Sequence, residues 1–156
     1  RGPGFGNAKP EPRTPNPERE VSEMEPLIMV VDDSSMVRKL LTLTLRMNGY
    51  RTVAVCDGME ALERTAVEPV DLVITDLNMP AMDGYELVAA IRRDGPNREV
   101  PVIMLTTERE EEDRRRGYQA GVDVYLTKPA QPQDLLASVR NLLAKRNQKE
   151  GATCAS

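Results

Sequence analysis

Five short apolar runs recur along the chain, and each is followed by a longer segment whose apolar residues are spaced three or four apart. The runs are five or six residues long and rich in β-branched residues, which is typical of strands buried on both faces. The spacing in the longer segments is typical of helices with one buried face. The predicted strands are 27–31, 50–55, 71–76, 100–105 and 122–126, and the predicted helices are 34–48, 57–67, 83–94, 109–120 and 132–146.

Polar residues at the start of several predicted helices have the spacing of helix caps. Ser34 precedes the first helix, and three later pairs place Glu three residues after Asp or Thr, as in a capping box. The pairs are Asp57 with Glu60, Asp83 with Glu86, and Thr107 with Glu110. Because strands and helices alternate strictly and short loops join them, the pattern predicts an α/β fold with one parallel sheet covered by helices on both faces. The 109–120 helix is almost wholly charged and is expected to dock loosely.

Both ends of the chain differ from this pattern. Residues 1–26 contain six prolines among charges and glycines, and residues 147–156 are mostly polar. Neither segment carries enough apolar residues to offset the entropy lost on ordering, so we predict that both are disordered and that the domain spans 27–146. For residues 1–26, a linker to an upstream domain and a plain solvated tail both remain open.

Composition narrows the class of protein. The 156-residue chain has a net charge of −4, which argues against a nucleic-acid partner, and it has no histidine to serve in catalysis or as a metal ligand. Cys56 and Cys154 allow no disulfide framework or zinc site, which fits the reducing cytoplasm. The longest apolar run, 27–31, is too short to span a membrane, and no signal peptide opens the chain.

Residues that can carry chemistry follow four of the predicted strands. The acidic pair Asp32-Asp33 follows the first, Asp76 ends the third, Thr106 follows the fourth and Lys128 follows the fifth. The carboxyl ends of parallel strands share one edge of a sheet, so these residues are expected to meet there. Clustered carboxylates repel one another and favour a hard cation such as Mg²⁺. With a cation in place, one carboxylate could attack phosphorus while a lysine and a hydroxyl stabilise the transferred group.

This set of motifs resembles the receiver domain of two-component response regulators, and among them the single-domain chemotaxis type. The resemblance covers residues 27–146 and implies a flavodoxin-like (βα)5 fold, doubly wound, with strand order 2-1-3-4-5. The motifs that carry it are Asp32-Asp33, Asp76 with Leu77-Asn78-Met79-Pro80, Asp83-Gly84, Thr106, and Lys128-Pro129. Taken singly, each has an ordinary alternative as a helix cap, a strand-end hydroxyl or a solvated charge.

The resemblance implies a role for each residue of the acidic site. Asp76 would accept a phosphoryl group from a phosphohistidine on a sensor kinase. Asp33, Asp76 and the backbone carbonyl of Asn78 would bind Mg²⁺ directly, and Asp32 would act partly through water. Lys128 would contact the phosphoryl oxygens, and the peptide bond after it would be cis.

The resemblance also implies a switch. Thr106 would turn inward to the phosphoryl group, and Tyr125 would follow it from an exposed to a buried position. Ala130 departs from the family, which often has an aromatic residue there, so the partner face is expected to pack differently. Asn78 and Glu108 flank the expected pocket and are expected to tune how long the phosphoryl group persists.

The leading hypothesis is a stand-alone receiver that a histidine kinase or phosphotransfer protein phosphorylates and that binds a downstream protein through the Tyr125 face. It would not be an enzyme for outside substrates, and it would be a monomer or weak dimer. Chemotaxis or surface motility is the first expected pathway and a sporulation-type relay the second. Only about ten residues follow the last predicted helix, too few for a DNA-binding module.

Three alternatives remain. The chain could be the C-terminal receiver of a larger hybrid kinase or phosphorelay protein, tethered by residues 1–26. It could be a phosphatase of the haloacid-dehalogenase type, but those enzymes carry a second Asp two residues after the nucleophile, where this chain has Asn78. It could be a flavin- or nucleotide-binding domain, but the acidic Asp32-Asp33 turn would repel phosphate in the absence of a metal.

Overall fold

The computed structural model describes residues 25–107 and 111–154, in which five parallel strands form one sheet and five helices cover it. The strand order is β2-β1-β3-β4-β5, as the resemblance implies. The strands are β1 Leu27–Val31, β2 Arg51–Val55, β3 Leu72–Asp76, β4 Val102–Thr106 and β5 Val124–Thr127. The helices are α1 Ser35–Met47, α2 Gly58–Val67, α3 Gly84–Arg93, α4 Glu111–Ala120 and α5 Pro132–Cys154.

The sheet has an apolar core on each face because successive strand residues point to opposite sides. On one face Met29 of β1 lies in the same cluster as Leu87 of α3. On the other face its neighbour Ile28 belongs to a cluster with Leu45 of α1 and Leu135 of α5. Strands β3 and β4 are buried along their whole length, as expected for central strands covered on both sides. The doubly wound architecture is therefore confirmed.

Register brings the functional ends of the strands together. Val31 of β1 pairs with Thr75, the residue before Asp76, and Asp76 itself pairs with Leu105, the residue before Thr106. Thr106 in turn pairs with Thr127, which precedes Lys128. All four strand ends therefore lie along the same edge of the sheet.

The predicted caps form with one exception. Ser34 Oγ accepts from Val37 N at 3.3 Å, and Asp83 and Glu86 form a complete capping box. Asp57 Oδ1 accepts from Glu60 N at 2.8 Å, but the Glu60 carboxylate bonds to the amide of Cys56, one residue before the cap. The proposed pair of Thr107 with Glu110 is not tested, because Glu110 lies outside the described residues.

Element boundaries differ most at the C-terminal helix. We predicted an end near residue 146 and a disordered tail from 147, but α5 continues through Cys154, so that prediction is wrong for residues 147–154. Gln148, Lys149 and Glu150 are good helix formers, so a helix already nucleated upstream extends through them without needing an apolar face, and it continues past Gly151, which is a poor one. Strands β4 and β5 each begin two residues later than predicted, at Val102 and Val124.

Most of the predicted N-terminal tail, residues 1–24, lies outside the described chain, as do residues 155–156. Glu25 and Pro26 are described, and their carbonyls accept from the side chain and amide of Arg51, at 2.9 and 3.0 Å. No helix in the described ranges is long and apolar enough to cross a bilayer.

Candidate functional site

A lysine and two buried carboxylates meet at the carboxyl edge of the sheet. Asp32 is 1% exposed and Asp76 is 6% exposed, at the ends of the adjacent strands β1 and β3. Lys128 Nζ lies 3.0 Å from Asp32 Oδ2 and 3.0 Å from Asp76 Oδ1. Three residues separated by up to 96 positions thus form one bridged ion cluster, as the sequence predicted.

A third carboxylate completes the acidic cluster. Asp33 is exposed, and carboxylate oxygens of Asp32, Asp33 and Asp76 lie within 4.8 Å of one another. Lys128 pairs with Asp32 and Asp76 but with no oxygen of Asp33, so the cluster keeps an excess of negative charge that a cation would balance. All the side-chain donors are oxygens, which hard divalent ions such as Mg²⁺ prefer. The residues present therefore fit a magnesium site with one solvent-facing side.

Two further contacts hold the Asp32 turn and do not involve the carboxylate oxygen, Oδ2, that pairs with Lys128. Its other carboxylate oxygen, Oδ1, accepts from Ser34 N at 2.8 Å. Its backbone carbonyl accepts from Arg38 Nη1 at 2.6 Å. Sequence reasoning did not single out Arg38, which lies one turn into the helix that follows the acidic pair. These bonds fix the acidic turn before any cation binds.

Burial sets the protonation of the central pair. The pKa of Asp76 is raised because burial disfavours its charged form, and nearby Asp32 adds to this, although Lys128 and the Asn78 amide oppose it. For Lys128, burial alone would lower the pKa, but hydrogen bonds to Asp76 and Asp32 outweigh it and raise the pKa. The Asp76 carboxylate is therefore only partly compensated, and an additional cation at the cluster would favour its ionised form.

The remaining predicted residues surround this cluster. Thr106 is 1% exposed, and its carbonyl accepts from Lys128 N at 2.8 Å. The Lys128–Pro129 peptide bond is cis, as predicted. Asn78 is exposed, and its amide donates to Asp76, while the metal-binding role of its carbonyl stays a prediction. Glu108 lies outside the described residues.

Tyr125 lies half-buried on β5 in a cluster that the sequence did not reveal. Its hydroxyl contacts the hydroxyl of Tyr85 at the start of α3, and its ring meets the Tyr118 ring edge-on at 5.9 Å. The ring also lies directly against Gly117, where a side chain on α4 would overlap it. The Arg116 guanidinium lies 4.9 Å from the centre of the Tyr85 ring. Tyr125 thus connects α4 and β5 to the helix that follows Asp76.

The structure also shows where Ala130 packs, the position at which the sequence departs from the family. Ala130 packs, partly buried, against the core cluster of α1 and α5. No described contact joins it to Tyr85 and Tyr125, which pack with the core cluster on the other face of the sheet. The expectation that the partner face packs differently stays a prediction.

Comparison with known proteins agrees with this geometry. Residues 28–140 match the family model described as the response regulator receiver domain. The chain is 40% identical over 125 residues to a Guillardia theta protein named "Probable transcriptional regulator ycf27", covering 80% of this chain and 48% of that one. It is 33% identical to the phosphate regulon transcriptional regulatory protein PhoB of Escherichia coli, covering 76% and 52%. The chain thus spans about half the length of these curated relatives.

Solved structures agree as well. The chemotaxis protein CheY4 of Vibrio cholerae superposes with a TM-score of 0.73 at 35% identity, over 76% of this chain and 98% of that one. The receiver domain of the Pseudomonas aeruginosa sensor histidine kinase PA1611, which has a magnesium ion coordinated in its active-site cleft, gives 0.72 at 30% identity, over 77% and 98%. The matched family model, the strand order and the clustered strand-end residues lead to one conclusion: this chain belongs to the receiver domain family of two-component response regulators.

Proposed function

We propose that Asp76 accepts a phosphoryl group from a phosphohistidine on a sensor kinase or phosphotransfer protein. The observation that carries the proposal is the bridge of Lys128 to both Asp32 and Asp76 beside a third carboxylate. One Asp76 oxygen forms a bond to phosphorus as the phosphorus–nitrogen bond breaks, and the imidazole nitrogen keeps that electron pair. Lys128 and the Thr106 hydroxyl are the donors for the phosphoryl oxygens.

Asp32, Asp33 and Asp76, with the Asn78 carbonyl, would hold Mg²⁺. When bound, the ion would neutralise charge on the carboxylates and on the phosphoryl oxygens. Asp76 supplies the nucleophile, Asp32 and Asp33 supply the other carboxylate oxygens, and the loop carrying Asn78 closes one side. The raised pKa of Asp76 supports this scheme, because the ionised nucleophile has too little positive charge around it without a cation.

The kinase-facing surface is proposed to include α1, which begins immediately after the acidic turn. Its outer side exposes four large apolar residues at helical spacing, between 57% and 76% exposed: Met36, Leu40, Leu43 and Met47. Contiguous exposed apolar side chains of this kind mark protein interaction sites. A phosphohistidine on a helix docked along this stripe would be carried to the Asp76 end of the sheet.

The output is proposed to be a change at the Tyr125 face. Phosphoryl oxygens that draw the Thr106 hydroxyl inward would alter the space that Tyr125 occupies between Tyr85 and Gly117. Two charge-assisted hydrogen bonds of roughly 1.5–3 kcal/mol each could together invert a 1:99 equilibrium, which takes about 5.5 kcal/mol, whereas one alone could not. A protein partner that reads this face would then distinguish the two forms.

The chain is proposed to act on its own phosphoryl group only, through self-phosphorylation and autodephosphorylation. A phosphatase for outside substrates would need a second acid two residues after the nucleophile, and Asn78 cannot supply a proton there. We propose a cytoplasmic monomer or weak dimer.

Pathway context is the finer part of the proposal. The similarity to CheY4 favours chemotaxis or motility. A second candidate is a receiver within a longer protein, favoured by curated relatives about twice as long and by the receiver of sensor kinase PA1611. Because these curated relatives are named as transcriptional regulators, the second candidate includes a role in regulating gene expression.

The decisive experiment is intact mass after incubation with acetyl phosphate, with and without Mg²⁺. We expect a gain of one phosphoryl group that requires Mg²⁺ and is absent from Asp76→Asn. Asp134→Asn, which removes an exposed acid from α5, is the matched control and should be phosphorylated normally. Phosphorylation of Asp76→Asn to the same extent, or without any need for a divalent ion, would overturn the assignment.

A further inference from the structure

A second concave site lies at the opposite edge of the sheet from Asp76. It is a cleft of about 720 Å³ between the loop that enters β4 and the last turns of α5. We call it the basal cleft and define it by Pro96, Arg98, Val100, Pro101, Leu142 and Lys145. Because residues 98–101 precede β4 and the strands are parallel, the cleft is separated from the phosphoacceptor site by the length of the strands.

The basal cleft is basic although the chain as a whole carries a net charge of −4. Arg98, Lys145, Arg146 and Lys149 line it, against two acids, Glu99 and Asp123, and Arg146 is itself paired with Asp71 at 3.7 Å. Asp123 is already compensated, because its Oδ2 pairs with Arg92 at 3.1 Å and accepts from Val102 N at 2.8 Å. Within the described chain, no ion pair involves Arg98 or Lys145, and both are exposed.

One arginine holds the floor of the basal cleft in shape. Arg92 Nη1 donates to the carbonyls of Arg98, at 3.0 Å, and Val100, while Nη2 donates to the Gly121 carbonyl at 2.8 Å. A single half-buried guanidinium thus ties the loop before β4 to the loop before β5. A site preorganised in this way loses little entropy when a ligand binds.

The lining combines an apolar floor with a cationic rim. Pro96, Val100, Pro101 and Leu142 supply the apolar part. The volume falls within the range of small-ligand sites, about 300–1,000 Å³. Lys145 and Lys149 lie before the last turn of α5, so the helix dipole does not account for them, and Arg98 lies outside any helix and faces the same space.

We propose that the basal cleft binds a small phosphate-bearing ligand with an apolar body, of the nucleotide class. Arg98 and Lys145 would bind the phosphates, since guanidinium and ammonium groups are the usual phosphate donors. The apolar floor would take the body of the ligand. The proposal is independent of phosphoryl transfer, because none of the residues of the acidic cluster takes part.

The test is a titration of the ¹⁵N-labelled chain with ATP in EDTA, so that no cation can bring nucleotide to the acidic cluster. We expect saturable shifts of the amides of Arg98, Val100 and Lys145, and none at Asp32 or Asp76. Tripolyphosphate should produce the same shifts with weaker affinity, since it lacks the apolar body. Equal affinity for both anions would overturn the role of the apolar floor, and no saturable shift with ATP would overturn the site.

Variants separate a built site from general charge attraction. Both Arg98→Ala and Lys145→Ala should weaken ATP binding about 10-fold, the loss expected for one charge-assisted hydrogen bond. Lys39→Ala removes one exposed positive charge from α1 and should leave the affinity unchanged. Equal losses in Lys39→Ala and Lys145→Ala would mean attraction to net charge only and would overturn the proposal. All three side chains are exposed, so folding should be unaffected, as a thermal melt of each variant will check.

Discussion

Ala81 holds a backbone conformation that its side chain disfavours, in the loop between Asp76 and α3. Its φ is +69°, the one positive value at a non-glycine residue within the described ranges. Met82 N donates to Pro80 O at 2.8 Å across it, which makes Ala81 the centre of a γ-turn with positive φ, a rare and strained conformation. The loop that carries Asn78 therefore stores strain beside the acidic cluster.

Replacing Ala81 with glycine should relieve that strain. We expect Ala81→Gly to raise the free energy of unfolding by up to about 1 kcal/mol, because the left-handed region costs an L-residue roughly 1–2 kcal/mol and glycine adds some entropy to the unfolded chain. Urea denaturation will measure it. Ala89→Gly, at an exposed position within α3, is the control and should lower the free energy by about 1 kcal/mol. A loss in both variants would mean that the turn carries no strain.

The carboxylate of Glu60 lowers the reactivity of the exposed Cys56 thiol. Its Sγ lies 3.2 Å from Glu60 Oε2, and this hydrogen bond is the main reason that the thiol pKa is raised, with burial and the Glu60 and Asp57 charges adding to it. Because the thiolate is the reactive form, a raised pKa lowers the reactive fraction at neutral pH.

Removing the Glu60 charge should make Cys56 more reactive. We expect Glu60→Gln, in a Cys154→Ser background that leaves one thiol, to shift the pH midpoint of iodoacetamide alkylation downward and to speed the reaction several-fold at pH 7.5. The rate followed by intact mass across pH will measure it. Glu63→Gln, an exposed acid on the same helix, should behave as the parent. An unchanged midpoint in Glu60→Gln would show that the hydrogen bond does not hold the proton on sulfur.

At the scale of elements, α4 and β5 are matched through one close contact. Helix α4 has few apolar residues, yet it lies against β5 because Gly117 leaves space for the Tyr125 ring. The highly charged sequence of α4 predicted a loosely docked helix, which stays a prediction, and the contact of Gly117 with the Tyr125 ring was not predicted. Gly117 has no positive φ to explain it, so close approach accounts for its presence.

Filling that space should push Tyr125 out of its position. We expect Gly117→Ala to lower the free energy of unfolding by about 1–3 kcal/mol, as overpacking does, although alanine is the better helix former by about 1 kcal/mol. The Tyr125 and Tyr118 ring resonances should shift, while those of Tyr50, which packs with the opposite cluster, should not. In a Tyr125→Ala background, Gly117→Ala should instead stabilise the chain. The same sign in both backgrounds would rule out the contact as the cause.

Elements were predictable where local chemistry decides them. Helix α3 begins where Asp83 and Glu86 form their capping box, and β3 ends at Asp76 as the apolar run requires. The end of α5 was not predictable from apolar periodicity, because the helix continues through residues 147–154, which carry no apolar stripe. The sequence also did not predict the contact of Arg38 with the Asp32 carbonyl or that of Tyr85 with Tyr125. Spacing along a chain does not specify which polar side-chain groups meet across elements.

At the scale of the whole molecule, the sheet converts distant sequence positions into one charged cluster. Parallel pairing brings the ends of β1, β3 and β5 together, so Asp32, Asp76 and Lys128 share a site with an excess of negative charge. The sequence predicted this meeting because strict alternation fixes which strand ends share an edge. It could not predict the degree of burial, which sets how strongly charge repulsion within the cluster opposes folding.

The raised pKa of Asp76 leads to a prediction about how the stability of the fold depends on pH. The pKa of Asp76 is raised in the folded chain, chiefly by burial, so its contribution to stability is greatest at low pH and is lost as pH rises through the folded-state pKa. At pH 7 in EDTA, Asp76→Asn removes this unfavourable ionisation and should melt at a higher temperature than the parent. Asp134→Asn, an exposed acid, should melt with the parent. A lower melting temperature for Asp76→Asn would mean that its pairing with Lys128 outweighs burial.

Adding Mg²⁺ should reverse the order. A cation that binds only the folded chain stabilises it by about 2.7 kcal/mol at 100 times its dissociation constant, which amounts to several degrees in melting temperature for a domain of this size. The parent and Asp134→Asn should gain this in full, whereas Asp76→Asn has lost one of three clustered carboxylates and should gain much less. Equal gains in all three chains would place the cation elsewhere. The melting temperatures of the parent and of Asp76→Asn should therefore change order between EDTA and Mg²⁺. Their difference in EDTA measures the repulsion within the acidic cluster, and the change on adding Mg²⁺ measures its relief by the ion that the cluster is proposed to bind.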